Sequence, residues 1–122
     1  MDHDTAVRVS AGFGGGMYLG SVCGAVTGGI MAIGLKHGGT GMAGGMRTTR
    51  LVREYADRFV AQHVSIYCPD LIGVDLGKVD PMNDPEVMKD LMARNVFASC
   101  LGIVKDATAI LDEMLARPLQ EG

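Results

Sequence analysis

Three cysteines, Cys23, Cys68 and Cys100, are the residues of this 122-residue chain best suited to chemistry. A thiolate attacks disulfides and binds soft metals. No two of them stand in a C-x-x-C pair, so spacing specifies neither a zinc site, nor a thioredoxin-like pair, nor haem attachment. Position says more. Cys23 follows Ser21, a candidate helix cap, Cys68 precedes Pro69, and Cys100 follows an expected helix break at Asn95. A helix N-terminus carries roughly half a positive charge, which lowers a nearby thiol's pKa. The expectation is that the three thiols meet in one electropositive pocket. There they would serve as catalytic thiols in thiol–disulfide exchange, or as metal and cofactor ligands. The alternative is three inert, buried thiols acting as small hydrophobes.

Other chemistries are excluded or weaker. The glycine-rich stretch from Gly12 to Leu35 does not carry a dinucleotide fingerprint: counting from Gly12 the sixth position is Met17, and from Gly14 it is Leu19. No Gly-Lys-Ser/Thr follows, so there is no phosphate loop. Arg47, Arg50 and Arg53 would suit an anionic substrate, but read more simply as a solvated face pairing with Glu54 and Asp57. Asp70, Asp75 and Asp80 read as turn residues. Of the nine methionines, Met31, Met92 and Met114 fall at core positions.

The elements that must position the thiols follow from periodicity. Thr5–Ser10 is a helical stub, and 12–20 a loop or tight turn. A helix from Ser21 to Leu35 is apolar on every side and should be buried. Gly24 and Gly28, like Ala25 and Gly29, are four apart and would let a neighbouring helix press close, so that Cys23 comes beside the other two thiols. Residues 38–45 read as a flexible loop. An amphipathic helix starts at Thr48 or Thr49 and ends near His63, with Leu51, Val52, Tyr55, Ala56, Phe59 and Val60 inward. Pro69 opens a short turn, Asp84 caps a helix with Pro85 at its first position, and a last helix runs from about Ala98 to Arg117. In that last helix Val104, Ala107, Leu111, Met114 and Leu115 point inward. No alternating strand pattern appears. The fold class is all-α, a small helical bundle around a glycine-rich buried central helix, in one domain spanning residues 1–122.

Composition sets the outer limits. Apolar residues make up 48% and charged residues 20%, which is globular. A net charge of −3 argues against nucleic acid as a partner. The acidic start Met1-Asp2-His3-Asp4 is not a secretory signal, and the apolar run 22–35 is too short and glycine-broken for a membrane span. A cytoplasmic, reducing location is expected, where an odd number of cysteines does not mean a disulfide framework.

The order Phe13-Gly14-Gly15-Gly16-Met17, then Cys23-Gly24-Ala25-Val26-Thr27-Gly28, then Gly34-Leu35-Lys36-His37-Gly38, with later cysteines at 68 and 100, resembles the C-GCAxxG-C-C family of redox-active proteins. The resemblance spans nearly the whole chain. It implies a helical bundle whose cysteines carry thiol redox chemistry or an iron–sulfur cluster, with Cys23 as the central motif cysteine and Cys68 and Cys100 as the two later ones. The family's first cysteine lies before the FGGGM segment, where this chain has none: either the start is truncated relative to the family, or a non-cysteine ligand serves, or this member has lost the cofactor. A four-thiolate cluster would then need an outside ligand, and His37 and His63 are candidates. An iron–sulfur or other metal cofactor and no cofactor at all are equally open. The partner would be an unidentified redox partner. The other functional class is a structural or interaction module, with a second copy in a groove left by the absent helix, so a homo-oligomer is expected.

Overall fold

The computed structural model describes residues 1–118. Six α-helices follow one another: α1 (His3–Ser10), α2 (Gly24–His37), α3 (Gly41–His63), α4 (Cys68–Ile72), α5 (Pro85–Ala93) and α6 (Cys100–Ala116). A π-helical turn, Gly16–Gly20, lies between α1 and α2. The only extended pairing among the described residues is an isolated antiparallel bridge between Val22 and Tyr67. The all-helical fold class therefore holds.

Helices α2, α3 and α6 pack against one another and enclose the main core: Val26 and Ile33, Tyr55 and Phe59, then Ile103, Ala107, Ile110 and Met114. The inward stripe of α6 is Ile103, Ala107, Ile110 and Met114, with Leu111 and Leu115 packed at its edge; of the residues expected inward there only Val104 is out, 48% exposed. Met92 and Val60 are also exposed rather than inward. Met114 is buried as expected.

The glycines of α2 work differently from the expected Gly24/Gly28 face. Gly29 is the position of closest approach: a methyl there would fall inside the Tyr55 ring. Tyr55 lies flat on that gap and donates a hydrogen bond from its hydroxyl to the Ala25 carbonyl at 2.8 Å. Gly24 faces the Phe13–Gly14 backbone, a turn and not a helix, while nothing stands within 4 Å of a side chain built at Gly28.

Two boundaries moved. Helix α2 starts at Gly24, with Cys23 as its N-cap residue and not Ser21, because the backbone of 21–23 is engaged in the bridge. Helix α3 starts at Gly41, seven residues before the expected start, so its first turns run through what reads as a flexible loop. Arg47 reaches back and donates from Nε to the last carbonyl of α2, at His37 (2.8 Å), tying the two helices together there. The α5 start is as expected: the Asp84 carboxylate accepts from the backbone of Glu86 and Val87, with Pro85 following.

A second, smaller core is built from Cys68, Leu76 and Leu91, with Val87 and Phe97 against it. No described helix is long and apolar enough to cross a membrane.

The Gly29–Tyr55 contact generates a stability prediction. Gly29→Ala overpacks the core and should lower unfolding stability by roughly 1–3 kcal/mol. Tyr55→Phe removes one hydrogen bond and should cost about 1 kcal/mol. Gly34→Ala, at an exposed position with open space around it, should be neutral or stabilising by up to about 1 kcal/mol. Urea unfolding monitored by circular dichroism measures all three; a Gly29→Ala protein as stable as the parent would refute the packing account.

Candidate functional site

The Val22–Tyr67 bridge sets the geometry of the thiols. The Cys23 amide donates to the Ile66 carbonyl at 2.7 Å, and the Cys68 amide donates to the Ser21 carbonyl at 2.8 Å. Cys23 and Cys68 thus flank the bridge, one on each segment, and Cys23 is near enough to raise the Cys68 thiol. All three cysteines are free thiols.

Each thiol also stands at a helix start, as expected from sequence: Cys23 caps α2, while Cys68 and Cys100 are the first residues of α4 and α6. All three line one cavity of about 610 Å³ between the two cores. Sequence spacing alone did not bring them together. The bridge joins the first two, and the α6 start, set by the turn after α5, brings in the third.

The electropositive environment expected for them is not what the structure holds. Burial pushes the Cys68 thiol up to about 11, with Cys23, Cys100 and Asp75 adding to the rise. Burial also raises Cys100, with Cys23 next in effect. The reason is physical: α4 has only five residues and offers little dipole to Cys68, while the apolar surroundings of Cys68 and Cys100 penalise their thiolates. Tyr55 is pushed up to about 12 by burial, and the nearby Cys23 adds to that.

The donor set does not match the cluster that the resemblance implies. Neither His37 nor His63 lines the cavity. His37 sits at the end of α2 near Arg47 and Arg117. His63 stacks on Phe59, with ring centroids 4.9 Å apart, and its Nε2 lies 3.0 Å from Asp106 Oδ2. Among the described residues, no group of three or more His, Cys, Asp or Glu is spaced to hold a metal ion. On α3, Glu54 pairs with Arg58 and with Arg117, the latter at 2.8 Å, and Arg47 donates to the His37 carbonyl.

Sequence reasoning missed the cavity lining. Gly28, Met82, Met88, Met92 and Val104 belong to it. The signal available was an apolar residue in a polar surrounding, as at Met82 and Met92, which on its own does not separate a rim from a core.

The profile of the family described as "Putative redox-active protein (C_GCAxxG_C_C)" matches residues 1–114, and the chain belongs to that family. No curated protein and no solved structure matches it.

The raised Cys68 pKa has a pH consequence with a definite sign. In the unfolded chain the thiol ionises near its ordinary 9.0, whereas the fold holds the proton to about 11. The stability of the neutral buried thiol is fully present below pH 9 and is lost as pH rises through 11. Iodoacetamide labelling of Cys68 in the folded protein should be much slower than in urea at pH 8 and climb between pH 9 and 11. The urea midpoint should fall over the same window and flatten in Cys68→Ala. Maximal Cys68 labelling below pH 8 would contradict this.

Proposed function

From that family membership and the paired thiols, we propose that the chain is a thiol–disulfide redox protein in which Cys23 and Cys68 form the exchanging pair. The observation that carries this is the Val22–Tyr67 bridge, whose two hydrogen bonds hold the starts of α2 and α4 side by side. In the oxidative step both S–H bonds break and one S–S bond forms, while a partner disulfide takes up the two electrons and two protons and leaves as two thiols. Cys100 lines the same cavity but has no backbone link to either partner, and it acts as the third thiol, able to exchange with the pair when the α6 start shifts. A thiol pair suits this donor set better than a cluster, since an iron–sulfur centre calls for four ligands and three thiols are present.

Thiol counting across a glutathione redox titration, followed by peptide mapping, tests the reading. The oxidised protein should lose two of its thiols reversibly and yield a Cys23–Cys68 linked peptide. Cys100→Ala should keep that linkage, and Cys23→Ala or Cys68→Ala should abolish it. Three thiols that stay free at every potential would overturn the proposal.

A further inference from the structure

The cavity around the thiols has no charged residue in its wall. Apart from the cysteines its polar side chains are Ser10 and Tyr18, and the Ser10 hydroxyl already donates to the Ala6 carbonyl at 2.8 Å. Such a wall offers no counter-charge to a nucleotide or to another anion. It would also leave the amides of an inserted peptide unpaired, which is costly in an apolar site. What it does offer is flat and soft surface: Phe13, Phe97 and Tyr18 supply rings, and Met82, Met88 and Met92 supply adaptable thioethers. Met82, Met92 and Tyr18 are 63%, 62% and 44% exposed, which places them at an open mouth. The volume, about 610 Å³, lies within the usual range for a small-molecule site.

We propose that this cavity binds an uncharged apolar ring compound, and that the compound is a quinone accepting electrons from Cys23 and Cys68. The second half rests on the redox reading above; the first does not. The chemistry balances without burying charge: two S–H bonds break, one S–S bond forms, and the quinone's two oxygens take up two electrons and two protons to give the hydroquinone. Dithiol, disulfide, quinone and hydroquinone are all neutral, in keeping with a wall that holds no counter-ion.

Gly28 supplies the test. It lines the cavity, and a side chain there meets nothing within 4 Å, so Gly28→Leu fills the site while favouring helix. The probe is duroquinone, whose fully methylated ring has no free position for thiol addition; anthraquinone-2-sulfonate is the charged comparison. Equilibrium dialysis, with quinone and hydroquinone counted together, should show saturable binding of duroquinone to the protein. Binding should be at least tenfold weaker in Gly28→Leu, unchanged in Gly34→Ala, and at least tenfold weaker for the sulfonate. Under anaerobic conditions the reduced protein should consume one duroquinone per chain and gain the Cys23–Cys68 disulfide. Binding without oxidation would keep the ligand site and overturn its redox use. Reversible oxidation by glutathione without duroquinone binding would keep the redox reading and overturn this inference. A Gly28-dependent dimer by light scattering, with no quinone bound, would also overturn it, since a second copy would then fill the cavity.

Discussion

One short antiparallel contact, Val22 against Tyr67, organises the thiol end of the molecule. Its two hydrogen bonds, 2.7 and 2.8 Å, join segments 21–23 and 66–68. Val22, Cys23 and Ile66 pack on the main core, whereas Cys68 is part of the smaller one with Leu76 and Leu91, so the bridge stands where the two cores meet. A long loop must be closed before either bond forms, and the closure entropy is offset by the burial of both cores rather than by the bonds themselves. The bridge thus acts as a register pin. A one-residue slip would shift the starts of α2 and α4 past each other, and with them the two cysteines.

Two opposed effects act on Cys68 and Cys100 once they are placed. The start of a helix favours thiolate, and the apolar cavity disfavours it. For Cys68 and Cys100 burial wins. This has a consequence for the chemistry. A pair of neutral thiols and a neutral disulfide are both comfortable in such a cavity, so the two end states of a redox cycle are compatible with one unchanged wall. The penalty falls on the thiolate in between, which slows exchange with adventitious disulfides and leaves the pair to react with what enters the cavity. The same wall that protects the thiols therefore selects their partner.

Much of the scaffold was legible in sequence, because caps and periodicity are local signals. Asp84-Pro85 marked the start of α5, Leu51 to Phe59 marked the buried face of α3, and Pro69 marked α4. The convergence of cysteines at helix starts could be anticipated. What stayed hidden was non-local. A single bridge has no period to detect. The start of α3 at Gly41 contradicts the helix-breaking tendency of its glycines, and it is held by contacts from outside: Gly44 sits so close to the Gly39 backbone that any side chain would collide. Val104 departs from its helix's inward face for a non-local reason too, since it lines the cavity.

The FGGGM segment shows how a motif with no chemistry of its own still serves a site. Gly15, Gly16, Met17 and Tyr18 all adopt left-handed backbone angles, with φ between 53° and 66°. Each non-glycine residue there costs roughly 1–2 kcal/mol, so Met17 and Tyr18 hold their shape only because the surroundings leave no alternative. Gly16 is the point of least freedom: with φ at +66°, any side chain would strike the Ser21 backbone, and the Ser21 amide donates to the Gly16 carbonyl at 3.0 Å. Ser21 in turn accepts from the Cys68 amide. The chain of contacts therefore runs from Gly16 through Ser21 to Cys68, and the turn that places Tyr18 at the cavity is the same turn that sets the bridge. A larger residue at Gly16 would disturb the wall and the thiol pair together, although it touches neither sulfur.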